Sequence, residues 1–287
     1  MKSFILWLGV LLLLPFYVVA QDTLPAPTSY RVNKVSFNMV RVEKGDFWMG
    51  AQHMDTAEFN YDRASLLDEL PVHHVVIRDD FYLGQTEVTQ KLWKEVMGYN
   101  PSRYKCKKRP VTNVNYFEVQ EFLRRLDSIT GMQFRLPTEE EWEYAARGGK
   151  NSRGYIYSGG KDVDRVAWHN GNARKTKKVK KRTANELGLY DMSGNVWEWC
   201  SNKYRYYDKE RNASLGKDAD MYIIRGGGWQ LPKTSCRVSW RGKRLPDLKN
   251  SFGGFRLALD ARYVKEKEEA EKEMILKEKE EAETSKE

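Results

Sequence analysis

The chain has 287 residues and a formal net charge of +9, and 40% of its residues are hydrophobic. This length and composition suffice for one large domain with a hydrophobic core. Three cysteines are too few for a disulfide scaffold, so the core must supply most of the stability.

The N-terminal segment has the pattern of a secretion signal. Lys2 precedes an apolar run over residues 4–19, and the run closes at the small residue Ala20. The run is too short to be favoured as a spanning helix, and no later segment approaches the roughly 18 apolar residues that a membrane helix needs. We therefore predict a signal peptide over residues 1–20, export to the periplasm or the exterior, and no membrane span.

Short β-rich runs follow the signal. Residues 21–35 are predicted as a lead-in segment containing Pro and Thr. The runs at 37–43 and 45–50 predict two strands around a turn, and those at 72–77 and 81–88 predict two more.

Three helices are then predicted from their caps. Thr89 can cap a helix that ends at Gly98, and Asn115 precedes a second helix. Thr138 and Glu141 have the spacing of a capping box for the third. Beyond residue 148 the chain is rich in Gly and Asn and predicts loops with short apolar pairs instead of long periodic segments.

Two charged segments stand out in the second half. Residues 174–182 hold seven positive charges in nine positions and no aromatic residue. A solvated loop is the favoured interpretation and anionic envelope polymers are the next, while nucleic acid is not expected because stacking rings are absent. Residues 262–287 are dense in Glu, Lys and Ala and predict a charged tail, helical or disordered.

Residues 188–200 crowd carboxylates, an amide, small residues and tryptophans into one short stretch. Asp191 and Glu198 can supply carboxylate oxygens, and a turn at Gly194 can expose backbone carbonyls between them. Such an all-oxygen set is what calcium prefers. The alternative is a tight turn in which Trp197 and its neighbours are ordinary core.

Several motifs follow one another in a fixed order across more than two hundred residues. They are residues 72–93, 135–149, 188–199, 225–229, 236–241 and 254–257. Together they resemble the formylglycine-generating enzyme family, also called the sulfatase-modifying factor domain. The resemblance implies a domain over residues 36–261 with a loop-rich α+β fold, a C-type-lectin-like layout and little regular secondary structure.

The resemblance also implies a calcium site. Family members bind calcium through the side chains that match Asp191 and Glu198 and through the carbonyls that match Gly194 and Val196. In some relatives the loop that matches residues 170–181 binds a second calcium, but here that loop is dominated by Lys and Arg. We predict one calcium ion.

The catalytic pair of the family is incomplete in this chain. The enzymes hold copper between two cysteines; Cys236 matches the second, but Leu231 stands at the first and offers no lone pair. Gly228 also stands where the enzymes carry a serine. Copper is therefore expected only if an altered site still works as an oxidase. Cys236 is otherwise expected to form a disulfide with Cys200 or to be a buried free thiol, and a lone nucleophile is the remaining alternative.

The preferred hypothesis is an exported, non-enzymatic module that binds or assembles envelope proteins or glycans. Its predicted binding residues occupy the family's substrate-facing segment: Gly228, Trp229, Gln230, Arg237, Trp240 and Arg241. One alternative is a formylglycine-generating oxidase with Cys236 as its catalytic residue and an altered site. Another is a structural component of an envelope secretion or motility machine. The sequence does not fix the oligomeric state.

Overall fold

A computed structural model describes residues 26–284, and the predicted signal peptide lies outside this range. In this part of the chain the helices are α1 (Gln90–Met97), α2 (Tyr116–Thr130), α3 (Glu139–Ala146), α4 (Val163–Val166) and α5 (Ala261–Thr284). The strands are β1 (Thr28–Val32), β2 (Val35–Val42), β3 (Gly45–Met49), β4 (His73–Ile77), β5 (Phe81–Gly84), β6 (Trp197–Lys203), β7 (Tyr222–Arg225), β8 (Arg241–Arg244), β9 (Gly253–Gly254) and β10 (Ala258–Asp260).

The first sheet has the strand order β1-β2-β5-β10, and all of its pairs are antiparallel. Its first strand is a correction to the sequence analysis, which placed residues 21–35 outside the domain. Thr28 pairs with Met39 and Val32 with Val35, so β1 folds back on β2 through a tight turn. The side chains of Val32 and Val35 are buried, which joins this part of the lead-in to the core.

A second four-stranded sheet positions the candidate site. Its order is β8-β7-β6-β9, with β6 and β9 parallel, and β3 and β4 form a separate antiparallel pair. Strand β6 begins inside the 188–200 motif, and Glu198 on it lies opposite Arg225 on β7. The motif loop is therefore fixed at one end by a sheet.

The three predicted helices are confirmed together with their caps. Thr89 accepts the amide of Leu92 at 3.3 Å, and Asn115 accepts the amide of Glu118 at 2.9 Å. Thr138 accepts the amide of Glu141 at 3.1 Å, and Glu141 accepts the amide of Thr138 in return. These bonds satisfy amides that the first turn of a helix leaves without partners. Helix α1 ends at Gly98, whose φ of 83° is left-handed and suits glycine.

The core lies between the helices and the two sheets. Trp93 of α1 stacks on Phe122 of α2 with ring centroids 5.1 Å apart, and Trp142 of α3 is buried in a second cluster. Helices account for 30% of the residues and strands for 22%, so the predicted α+β class is confirmed.

The charged tail is helical as far as the structure describes it. Val264 near the start of α5 is buried, whereas Met274, Ile275 and Leu276 are exposed. Within residues 26–284, no helix combines the length and the apolar character needed to cross a membrane.

Candidate functional site

The motif loop over residues 188–200 is fixed by backbone hydrogen bonds around a glycine in the left-handed conformation. Gly194 has a φ of 81°, and a Cβ there would lie 2.5 Å from the carbonyl oxygen of Trp168. The amide of Gly194 donates to the carbonyl of Gly226 at 2.7 Å. The amide of Asn195 donates to the carbonyl of Trp168 at 2.9 Å. A side chain at Gly194 is excluded both by φ and by this close approach.

Two buried carboxylates beside this loop each have one oxygen without a hydrogen-bond partner. They are Asp191 Oδ1 and Glu87 Oε1. The other oxygen of Asp191 accepts the Lys180 amide at 2.8 Å, and that of Glu87 accepts the Asn195 amide group at 3.3 Å. Burial raises the pKa of Asp191 to about 6. Burial, and then the nearby Asp191 and Glu198 carboxylates, raise the pKa of Glu87 well above its usual range. Two such oxygens indicate a site for a bound cation or a proton.

Glu198, the other predicted calcium side chain, has strong partners of its own. Arg256 donates to both of its oxygens, at 2.5 and 2.6 Å, and the indole of Trp142 donates at 2.7 Å. Both members of the ion pair are fully buried. Within residues 26–284, no group of three or more His, Cys, Asp or Glu side chains is arranged to hold a metal ion. The charge of Glu198 is thus already balanced by a guanidinium, which the sequence analysis did not anticipate.

The thiol of Cys236 is sealed inside the protein. It lies in a small apolar cluster with Val163, Val166 and Ala167, and its exposed fraction is 0%. Burial raises its pKa to about 12, although the amide of Gly228 donates a hydrogen bond to it. A thiol in this state is protonated near neutral pH and is a poor nucleophile or metal ligand.

The disulfide expected between Cys200 and Cys236 is not formed, because all three cysteines are free thiols. Cys200 packs in a different buried cluster from Cys236, and burial raises its pKa well above the usual value. Of the interpretations offered for Cys236, the structure therefore agrees with the buried free thiol.

The positions that lack catalytic groups are also closed by packing. Leu231 packs against the first core cluster, and its amide donates to the carbonyl of Gly228 at 2.9 Å. A Cβ on Gly228 would lie 2.9 Å from the ring of Trp197, so a serine there would have to displace the indole. The site therefore lacks the first thiol, and it has no room for the serine as it stands.

Arg237 was predicted to contact a ligand, but the structure makes it part of the interior. Its guanidinium donates to both oxygens of Glu69, at 2.8 and 2.6 Å, and to Asp62 at 2.9 Å. Only 2% of Arg237 is exposed. A guanidinium with three carboxylate contacts in the interior has no surface left for a partner.

The prediction for Arg241 is corrected in the same way. Its guanidinium makes a bidentate pair with Glu139 at 2.7 and 2.8 Å and lies 3.8 Å from the centre of the Tyr207 ring. These contacts hold β8 against α3. The physical reason is the same for both arginines: each meets an acidic residue that is far away in sequence.

Three of the predicted binding residues do reach the surface, and we call Trp229, Gln230 and Trp240 the tryptophan face. Gln230 is exposed and both tryptophans are half-buried. Trp229 lies edge-on to Tyr104 with centroids 5.8 Å apart, and Trp240 lies edge-on to Trp197 at 5.4 Å. The remaining predicted residue, Gly228, is buried.

Sequence reasoning missed Glu87 and Arg256. Both stand in motifs that carry the family resemblance, at 72–93 and 254–257, but neither was given a role. Glu87 falls inside the run predicted as a strand at 81–88, and an acidic residue needs a partner when such a strand is buried.

Residues 27–261 match the family described as the sulfatase-modifying factor enzyme 1-like domain. This match covers most of the chain, and the chain belongs to this family.

Similar proteins include both active and inactive members of the family. The chaperone protein LppX of Paenibacillus barcinonensis is 32% identical, over 58% of this chain and 76% of its own length. The inactive C-alpha-formylglycine-generating enzyme 2 of Bos taurus is 33% identical over 44% of each chain. The formylglycine-generating enzyme of Streptomyces coelicolor is 32% identical over 53% of each chain. The chain thus spans about half the length of the last two relatives.

Solved structures share the fold over most of this chain. The Treponema denticola variable protein 1 has a TM-score of 0.69 and 28% identity, and the match covers 82% of this chain and 99% of that one. PvdO from Pseudomonas aeruginosa has a TM-score of 0.67 and 23% identity with the same coverage. These similarities establish the architecture and leave the function to the site.

Proposed function

We propose that this chain is a non-catalytic member of the family that binds or assembles other envelope proteins or glycans. The observation that carries the proposal is the incomplete copper pair, with Leu231 at one position and the sealed Cys236 at the other. A family-type oxidase needs two soft thiolates that face the substrate. Here one thiolate is missing, and the other would have to form at a thiol whose pKa burial raises to about 12.

Copper does not fit the residues present. Leu231 has no donor atom, and within residues 26–284 no cluster of three His, Cys, Asp or Glu side chains offers another metal site. No step of an oxidase reaction is therefore assigned to this chain. The alternative of an altered-site oxidase would need Cys236 to become exposed and a second sulfur to come from elsewhere.

The names of two relatives support a role without oxidation. One is called a chaperone protein and another an inactive enzyme, and both share about a third of their aligned residues with this chain. The tryptophan face offers the contact surface, because half-buried indoles beside an exposed amide are the kind of group found at binding interfaces.

We also propose that calcium braces the motif loop. The unpartnered oxygens Asp191 Oδ1 and Glu87 Oε1 are buried carboxylate ligands of the hard type that calcium selects. The carbonyls of Gly194 and Val196 would complete the set that the family resemblance implies. Glu198 was predicted as a ligand, but it would instead act through its buried pair with Arg256, which occupies both of its oxygens. A bound ion would satisfy the two oxygens and fix the loop.

Copper(I) binding to the full chain tests the absence of catalysis. Competition with a chromophoric copper(I) chelator should show no family-type site in the wild type. The Leu231→Cys variant restores a second thiol at the family spacing and should bind copper(I) measurably more tightly, with Leu231→Ser as the matched control that adds no thiol. Stoichiometric copper(I) binding by the wild type through Cys236 would contradict the proposal.

Export through residues 1–20 is part of the same proposal. Expression with the native N-terminus should give a mature protein that begins at Gln21. Recovery of the uncleaved chain in the cytoplasm of its own cell would overturn export without bearing on the missing thiol.

A further inference from the structure

Two basic runs that are distant in sequence lie side by side. The amide of Val179 donates to the carbonyl of Lys108 at 3.0 Å, which joins residues 174–182 to residues 103–109. The first run has seven Lys and Arg residues and the second has five, with no Asp or Glu in either. We call the surface formed by these two runs the basic face.

The charges of the basic face form few contacts with acidic groups in the described part of the chain, where Arg182 lies near Asp164 and Asp191 without forming a salt bridge. None of its Lys or Arg residues forms a salt bridge with a carboxylate there, in contrast to the paired arginines of the core. Lys107, Lys108, Lys175, Lys178 and Lys181 are exposed. Unpaired cations crowded on one surface repel one another, so a polyanion that neutralises them is favoured.

The longer basic run is fixed in place by bonds to the motif loop. The amide of Lys177 donates to Asn195 Oδ1 at 2.8 Å, and the amide of Lys180 donates to Asp191 Oδ2 at the same distance. A surface that is ordered before binding loses less entropy when a partner arrives.

The aromatic rings nearest to this run are covered by its own cations. The guanidinium of Arg182 lies 3.6 Å above the ring of Trp168, and the ammonium groups of Lys177 and Lys180 lie 5.0 and 5.1 Å above the rings of Trp168 and Tyr190. These rings are therefore not free to stack on nucleobases, which single-stranded nucleic acid would require.

We propose that the basic face binds an anionic polysaccharide, a glycan chain that carries repeated carboxylate, sulfate or phosphate groups. Such a polymer is held by many cations in a row, which is what the two joined runs provide. The tryptophan face adjoins it, because Tyr104 of the shorter run contacts Trp229. The inference rests on the proposed function in that it names the class of partner for a binding module.

The test compares two triple variants of the full chain that change the net charge equally. Lys107→Glu, Lys175→Glu and Lys178→Glu reverse charges on the basic face. Lys272→Glu, Lys277→Glu and Lys279→Glu reverse three exposed charges on α5 as the control. The dissociation constants for alginate and for heparin fragments would be measured over a series of salt concentrations, with circular dichroism and thermal melting to show that each variant is folded.

We expect both glycans to bind the wild type and to bind less tightly as salt rises. The basic-face variant should lose at least about tenfold in affinity and the control less than about twofold, because screening confines each charge to its own neighbourhood. Equal losses in the two variants would show an effect of net charge alone and overturn the proposal. Binding of neutral dextran as tightly as alginate would overturn it as well.

Single-stranded DNA with the same number of charges as the heparin fragments tests whether the basic face binds nucleic acid instead. Binding of this DNA at least about tenfold tighter than heparin would reassign the face to nucleic acid. Glycan binding and oxidase activity are measured independently. Formylglycine production would contradict the non-catalytic proposal but would not change the loss of glycan affinity in the basic-face variant. Absence of glycan binding, without formylglycine production, would contradict only the glycan proposal.

Discussion

Replacement of Arg237 tests whether this residue has a structural role or a ligand-binding role. Replacing it by Met removes the guanidinium but keeps an unbranched side chain of similar length. Glu69 would lose a bidentate partner, Asp62 would lose a contact at 2.9 Å, and both acidic side chains are almost completely buried. The variant should therefore destabilise the fold and leave the tryptophan face in place.

The size of the effect follows from the burial of the pair. Removing one partner of a buried, hydrogen-bonded ion pair costs about 3–5 kcal/mol, because the other charge remains without compensation. For a domain of this size each kcal/mol lowers the melting temperature by about 2–4 °C, so a fall on the order of 10 °C is expected. Urea unfolding followed by circular dichroism measures the free energy, and Lys233→Ala at an exposed nearby position is the control.

A double-mutant cycle completes the test. Arg237→Met combined with Glu69→Leu should be less destabilised than the sum of the two single variants, with a coupling of about 1–3 kcal/mol. A stability loss below about 1 kcal/mol for Arg237→Met, together with a loss of partner binding, would refute the structural role. It would restore Arg237 to the surface-contact role that the sequence predicted.

Three further predictions concern the thiols and the calcium site. Of the three cysteines only Cys106 should react rapidly with a maleimide in the native protein, whereas all three should react in denaturant; fast native labelling of Cys236 would contradict its burial. Burial raises the pKa of the Cys236 thiol from 9.0 to about 12. The stability that depends on the protonated thiol should therefore be complete below pH 9 and should be lost as the pH rises from 9 towards 12. The melting temperatures of Cys236→Ala and the wild type should converge in that window. Calcium at 100 times its dissociation constant should stabilise the wild type by about 2.7 kcal/mol and should not stabilise Asp191→Asn. Asp220→Asn, which changes an exposed carboxylate, should respond like the wild type. Identical melting of the wild type with calcium and with a chelator would contradict a bound calcium ion.

Local sequence signals predicted the helices well. Thr89, Asn115 and Thr138 are N-caps in the structure because a cap depends only on residues within the first turn. The strand β1 was missed because its partner is needed to define it. The segment around Thr28–Val32 has Pro on its N-terminal side and reads as irregular until β2 is placed beside it.

The burial of Arg237 and Arg241 was not predicted, for a different reason. Arg237 pairs with Glu69 at a sequence separation of 168 residues, and Arg241 pairs with Glu139 at 102. In sequence the neighbours of both arginines mix apolar and small polar residues, a pattern that does not distinguish the interior from the surface. The desolvation of such a charge is acceptable only when a distant carboxylate arrives with correct geometry, and nothing in the neighbouring residues records that.

The chemistry of the site was more accessible from sequence than its packing. The absence of a donor atom at Leu231 follows from the residue alone, and the loss of a family-type copper pair was predicted from it. That Cys236 is a buried thiol without a disulfide, and that Gly228 is pressed against Trp197, required the fold. The residue type thus shows that one sulfur ligand is missing, while the structure shows which groups surround the remaining thiol.

Mass spectrometry of a cysteine-containing sulfatase-motif peptide would show whether this chain oxidises a substrate cysteine. The peptide would be incubated with the full chain, copper(I), a reductant and oxygen, beside an active formylglycine-generating enzyme as the positive control. We predict that the peptide stays unchanged when the protein melts cooperatively and is therefore folded. Conversion of the peptide cysteine to formylglycine would contradict it and show that one family thiol is enough for the reaction.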